Sequence, residues 1–208
     1  MIPSIETIRQ SSGAKYFASL FGKSTIEHNG TDYKIIKDVT RVLLEKGYGV
    51  IHGGYAGGAM EAVNESALEF IRSEHKSPCL NIAVPHVGFD SKWNRVTGAT
   101  FTEAAEDIFD RLRIINSGDI MVVLPKGGWG TQLELTLAIH ENQIAESLGG
   151  KIKPIIFVSS EIGTKWEDLL KYTIEHLDLP DQSVDKTWIY FVNSAKELGE
   201  IVDKINLT

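Results

Sequence analysis

Tyr48-Gly49-Val50-Ile51-His52-Gly53-Gly54-Tyr55-Ala56-Gly57-Gly58-Ala59-Met60-Glu61-Ala62-Val63-Asn64 is the stretch whose reading decides the fold class. An apolar run of strand length stops at a cluster of glycines, and an amphipathic stretch begins at once. Met60, Val63, Ala67, Phe70 and Ile71 recur at helical spacing, so the segment reads strand, tight turn, helix. Glycines let the backbone turn sharply and bring its amides close to a ligand, and the positive end of the next helix points to the same place. Gly53, Gly54 and Gly57, with Met60, Glu61 and Asn64 just beyond, are therefore candidate ligand-binding positions. The spacing is not Gly-x-Gly-x-x-Gly, and no acidic residue ends the following strand near Leu80–Val84. That argues against a dinucleotide site.

The same grammar recurs at Pro125-Lys126-Gly127-Gly128-Trp129-Gly130-Thr131-Gln132-Leu133-Glu134. Around these two stretches, short apolar runs alternate with amphipathic ones. Strands are predicted at Ala14–Phe21, Tyr48–His52, Asn81–Pro85, Asp119–Leu124, Pro154–Val158 and Trp188–Val192. Several are apolar throughout, which is how strands read when helices cover both faces of a parallel sheet. Helical stripes run through Tyr33, Ile36, Val39, Thr40, Leu43 and Leu44, ending at Gly47, and through Ile108, Leu112 and Ile115. Others run through Trp166, Leu169, Leu170, Thr173 and Leu177, and from Ser194 to Ile205 with Ser194 as cap and Glu197 at capping-box spacing. Gln132–Ala145 alternates like a strand, but its length and its Gln, Glu and Ala content predict a helix, buried on most sides. The pattern implies one α/β domain over residues 1–208, Rossmann-like, with a doubly wound, mostly parallel sheet. The irregular stretch from His86 to Thr102 leaves a strand at the ligand-binding edge, and loops of that length are usually functional or mobile.

Composition narrows the partners. The formal net charge is −7, which repels a polyphosphate backbone and disfavours nucleic acid. A small anion remains compatible, because a nest of amides and one or two Arg outweigh the global charge locally. No apolar run approaches a membrane span and no signal peptide is visible at Met1–Gln10, so a cytoplasmic protein without membrane contact is expected. The single cysteine, Cys79, excludes an internal disulfide and reads as a buried, inert thiol. The six His show no metal-ligand spacing, so neither a metal nor a resident cofactor is expected. No Gly-x-Ser-x-Gly elbow or Walker loop is present, and Ser24 reads as a helix cap or, alternatively, a phosphate contact.

Two candidate side chains carry open alternatives. Thr131 and Glu134 have capping-box spacing, in which the carboxylate reaches back to an amide. A Glu one turn into a helix that starts at a ligand crevice also suits hydroxyl binding or catalysis. Arg111 and Arg113 flank Leu112, and the default for each is a solvated helix face. An Arg turned into the crevice would offer a fork of donors to a phosphate.

Taken together, the motifs resemble the Lonely guy family of phosphoribohydrolases, whose members have often been labelled lysine decarboxylases. Gly58-Ala59-Met60-Glu61-Ala62-Val63-Asn64 follows that family's Gly-x-Met-Glu-Ala-x-Asn. Gly127-Gly128-Trp129-Gly130-Thr131-x-x-Glu134 follows its Pro-Gly-Gly-x-Gly-Thr-x-x-Glu, with Lys126 inserted after Pro125. The resemblance implies a homodimer that hydrolyses the N-glycosidic bond of nucleoside 5′-monophosphates, releasing base and ribose 5-phosphate. It implies a phosphate at Gly127, Gly128, Trp129, Gly130 and Thr131, and catalysis by Glu134 with Arg111, Arg113 being the alternate. This chain departs from the pattern at Lys126, at His52 and in the register of the Arg. The family also contains binding proteins without hydrolase activity, such as molybdenum-cofactor carriers, so the hydrolase is the leading expectation and a carrier using the same crevice is the alternative.

Overall fold

A computed structural model describes residues 4–160, 168, 187–205 and 207. Seven strands form one sheet: β1 (Tyr16–Phe21), β2 (Tyr48–His52), β3 (Asn81–Ala83), β4 (Thr100–Phe101), β5 (Ile120–Val123), β6 (Ile155–Val158) and β7 (Ile189–Val192). Their spatial order is β4-β3-β2-β1-β5-β6-β7 and every pairing is parallel. The described helices are α1 (Ile5–Ser12), α2 (Thr31–Glu45), α3 (Gly58–Ser73), α4 (Ile108–Ile115), α5 (Trp129–Leu148) and α6 (Ala195–Lys204). The α/β Rossmann-like class expected from the sequence is the observed one. No helix among the described residues is long and apolar enough to cross a membrane.

Successive side chains of each strand enter opposite cores, which explains the uninterrupted apolar runs. Ala18, Leu20, Val50, Ile120, Val122, Ile156 and Val158 pack under α2, α3 and α6. Phe17, Phe21, Ile51, Met121, Val123, Ile155 and Phe157 pack under α1, α4 and α5. Each predicted strand lies within two residues of its observed ends, the usual uncertainty of such boundaries. Helix α6 starts as read: Ser194 Oγ accepts from the Glu197 amide at 3.2 Å, and Glu197 Oε2 accepts from the Asn193 amide at 2.8 Å.

Several expectations are corrected. Helix α5 is not buried on most sides: Thr131, Leu135, Ala138 and Asn142 are its buried residues, while Trp129, Leu133, Ile144 and Leu148 are exposed. Only one stripe of a helix lying on a sheet meets the core; Ile139 packs half-buried at its edge, and the four exposed residues face outward. Strand β4 was hidden in the predicted loop because two residues make no pattern. Helix α1, capped by Ser4, had no sequence reading at all. Cys79 is half-buried in a turn before β3, not fully buried. The helix predicted across Trp166–Leu177 falls outside the described residues.

Candidate functional site

The chain builds β1 to β4 outward in one direction and then returns to place β5 on the other side of β1. This reversal makes a topological switch point between β1 and β5, and ligands bind beyond the carboxyl ends of the strands at such a point. Both glycine loops lie at that edge, one after β2 and one after β5, and the loop after β1 ties them together. The Lys23 amide donates to the Lys126 carbonyl at 3.1 Å, and the Ala59 amide donates to the Lys23 carbonyl at 2.9 Å. The approach is so close that a Cβ at Gly58, whose φ is +57°, would strike the Lys23 and Ser24 backbone. Ser24 is therefore no helix cap. Its carbonyl lies against the glycine turn, and α2 begins later, at Gly30.

The start of α5 corrects the capping-box reading. Gly128 is the cap residue and the helix begins at Trp129, so Thr131 and Glu134 are both inside it. Thr131 Oγ1 is buried with no hydrogen-bond partner. Gly128, Gly57 and Gly30, which open α5, α3 and α2, offer no side chain to the first-turn amides. Those amides have no partner within their own helix and carry its positive end. Lys126, at φ +59°, turns the chain into α5, and its Nζ lies 2.7 Å from Oδ2 of buried Asp32 in the first turn of α2. Ser160 Oγ donates to Oδ1 of the same carboxylate at 2.6 Å.

Arg111 and Glu134 converge on this edge. Arg111 is not a solvated helix residue: it is buried, with Nε donating to the Val84 carbonyl and Nη2 to the Gly53 carbonyl, each at 3.2 Å. Its Nη1 lies 3.9 Å from Glu134 Oε1, with side-chain exposures of 9% and 12%. Burial pushes the Glu134 carboxyl up to about 7, although the Arg111 charge pulls the other way. Burial also lowers Arg111 from its ordinary value. Gly53 is glycine for this reason, since a Cβ there would collide with the guanidinium and with Met60 Sδ.

The other sequence-selected residues divide. Arg113 is 74% exposed and pairs with Asp110 on its own helix at 2.7 Å, so it stands apart from Arg111 and Glu134. Trp129 is 93% exposed beside exposed Gly130. Glu61 sits in the first turn of α3, where its charge acts on Tyr33. Asn64 is a buried brace, not an exposed ligand contact. The Gly54 amide donates to His52 Nδ1 at 3.2 Å, and His52 Nε2 meets Asn81 Oδ1 at 3.0 Å. Asn81 Nδ2 donates to Asn64 Oδ1 at 2.8 Å, and Asn64 Nδ2 to the Thr97 carbonyl at 3.1 Å. An acceptor Nδ1 places the His52 proton on Nε2, and burial lowers its pKa to about 4, keeping the ring neutral. Among the described residues, no three His, Cys, Asp or Glu side chains form a group that could hold a metal ion.

Sequence reasoning missed the rings beside Arg111. Its guanidinium lies 5.5 Å from the Phe89 ring centre. Phe89 in turn meets His86, Trp93 and Tyr55 at 4.5, 4.9 and 5.9 Å between ring centres. The i, i+4 relation of Arg111 to buried Ile115 was the available signal that Arg111 faces inward.

No protein-family model matches the sequence, and no curated protein sequence matches it. Solved structures do. A molybdenum-cofactor binding protein from Rippkaea orientalis superposes with a TM-score of 0.63 over 93% of this chain and 98% of its own, at 16% identity. The molybdenum cofactor carrier protein of Chlamydomonas reinhardtii gives 0.60 over 91% and 97%, at 13% identity. This chain has their fold. At these identities the likeness concerns architecture, and the chemistry rests on the residues described above.

Proposed function

We propose that the protein binds and carries a small phosphorylated ligand, a nucleotide or a molybdenum cofactor, in the crevice between β1 and β5. The observation that carries this reading is the set of glycine-capped helix starts around that crevice, with Thr131 Oγ1 buried and unpartnered at the start of α5. Amides and a hydroxyl left open in this way suit phosphate oxygens. The shared architecture with two molybdenum-cofactor proteins supports the carrier reading. Recognition then falls on the ligand's phosphate and ring, since no metal-holding group of side chains is present among the described residues.

A second reading, a phosphoribohydrolase acting on nucleoside 5′-monophosphates, is favoured by the Arg111–Glu134 pair. Water would add to C1′ as the glycosidic bond breaks, the base leaving with the bonding electrons and taking a proton. A carboxylate and a fixed guanidinium suit the charge changes of that step. Incubation with a panel of monophosphates, with chromatography for free base, separates the readings. The carrier reading expects saturable binding without base release, and steady release would overturn it.

The pH dependence sharpens this. Glu134 gains its charge as pH rises through about 7. For a carrier, that charge sits near a bound anion, so affinity falls by roughly tenfold between pH 6 and 8. For a hydrolase that needs the carboxylate, the rate rises over the same window. Glu134→Gln flattens either profile. Because the folded carboxyl holds its proton above the ordinary value of 4.5, wild type loses stability relative to Glu134→Gln as pH rises from there through about 7. No divergence between their melting curves would mean that the folded carboxyl titrates at its ordinary value, and the pH argument would leave both accounts.

We further propose a homodimer with the outward face of α5 at its interface. Exposed Leu133, Ile144 and Leu148 make that helix more apolar than a solvated face requires. A monomer by light scattering at micromolar concentration would overturn it.

A further inference from the structure

We infer that Phe89 and Trp93 form the ring-recognition platform of this crevice, so that its ligand is a phosphorylated planar heterocycle and not a phosphorylated sugar alone. The inference rests on the phosphorylated-ligand reading and adds the side chains that would hold the ligand's ring. Four rings on two loops assemble at the carboxyl end of β2 and β3. Tyr55 is buried at their base, Phe89 is half-buried, and Trp93 remains 51% exposed. The indole thus stays open at the top of a ring cluster whose base is buried.

The loop carrying these rings is fixed in place. The Ala56 amide donates to the Asn94 carbonyl at 2.8 Å, and the Val96 amide to the Gly54 carbonyl at 3.0 Å. Tyr55 Oη donates to the His86 carbonyl at 2.9 Å, and accepts from the His86 amide at 2.8 Å. Arg95 Nε donates to Asp90 Oδ1 at 2.9 Å. The platform is therefore stitched to the first glycine loop, and its rings are held before a ligand arrives. Preordered rings lose little freedom when they stack.

The platform also adjoins the charged end of the crevice. Arg111 spans the two, with Nη1 3.9 Å from Glu134 Oε1 and its guanidinium 5.5 Å from the Phe89 ring centre. Thr131 lies one turn before Glu134 on α5, about 4.5 Å along the helix axis. Arg111 thus joins the carboxylate on α5 to the ring cluster, and a ligand's phosphate and ring would lie on either side of it. Stacking on aromatic side chains tolerates any base, because each presents a π-face. Adenine is thus a fair probe whatever the natural ring.

Calorimetric titration with ribose 5-phosphate, adenosine and carbocyclic AMP tests the assignment. In the last, a methylene replaces the ribose ring oxygen, so no oxocarbenium-like hydrolysis can consume it. For wild type, carbocyclic AMP should bind at least tenfold tighter than ribose 5-phosphate. In Phe89→Leu/Trp93→Ala that advantage should vanish while ribose 5-phosphate affinity stays within twofold, which also reports a folded protein. Trp93→Ala alone should remove about half of the advantage on a logarithmic scale. An advantage that is absent in wild type, or that survives in the double variant, overturns the platform. So does an equal loss for both phosphorylated ligands. Adenosine binding that depends on the two rings, with no binding of ribose 5-phosphate, would support the platform and overturn the phosphate site.

Discussion

Helices α1, α4 and α6 begin under side-chain caps from Ser4, Asp107 and Ser194, whereas α2, α3 and α5 begin at Gly30, Gly57 and Gly128 with none. The first group starts at the periphery, before β1 or after the edge strands β4 and β7. The second group follows β1, β2 and β5, the strands around the switch point. One protein thus ends its helices in two ways. Where a helix starts away from the seam, a short polar side chain satisfies its first amides, even in α4, whose later residue Arg111 reaches the crevice. Where the crevice lies, those amides are left to other groups. The separation is not absolute, since the Lys23 carbonyl already takes the Ala59 amide of α3. Among the described residues, the first-turn amides of α2 and α5 have no such backbone contact, and the unpartnered Thr131 hydroxyl is found at the start of α5.

The sharpest way to break this contrast is to give α5 the kind of cap that the peripheral helices have. Gly128 has extended backbone (φ −126°), and the nearest atom to a Cβ placed there is Lys23 Cγ at 3.8 Å. Gly128→Asp should therefore fold, with stability raised by a few tenths of a kcal/mol. Its carboxylate should take the place of a ligand phosphate and lower ribose 5-phosphate affinity on the order of a hundredfold or more. The control runs the other way: Ser194→Ala should cost about 1 kcal/mol and leave binding alone. Unchanged ribose 5-phosphate affinity in Gly128→Asp would mean that the glycine caps have nothing to do with anions.

A smaller effect sharpens the same comparison at Lys126, the residue that steers the chain into the uncapped start. Lys126→Ala and Lys126→Gly both lose the ion pair with Asp32, but only glycine adopts φ near +60° without strain. The glycine variant should be the more stable by about 1 kcal/mol in chemical denaturation. Equal stabilities would show that the loop relaxes once the ammonium is gone.

The parts of this molecule that repeat a local rule were legible in its sequence. Apolar runs ending in glycine clusters located β2, β5 and the crevice, because strand, turn and helix each have a period or a required residue type. Ser194 and Glu197 announced the start of α6 for the same reason. The start of α5 misled, since a glycine cap has no side chain to read and Thr131-x-x-Glu134 imitates a capping box one turn too late. Arg111 was drawn from a motif and given a solvated default, although its spacing from Ile115 placed it inward. The relay through His52, Asn81, Asn64 and Thr97 and the ring cluster at Phe89 were invisible. Each joins residues from separate elements, and only the sheet order brings them together.

That sheet order also fixes a sequence of events in time. Ala18 of the central strand lies beside Val50 on one side and Ile120 on the other. A chain leaving the ribosome can therefore pair β1 with β2 and β2 with β3, and cover them with α2 and α3, while β5 does not yet exist. The crevice is the seam where this early half meets the late one, and no ligand that needs both sides can guide the first stage. A bound ligand instead acts on the finished sheet, holding the seam closed by mass action in proportion to its concentration over its Kd.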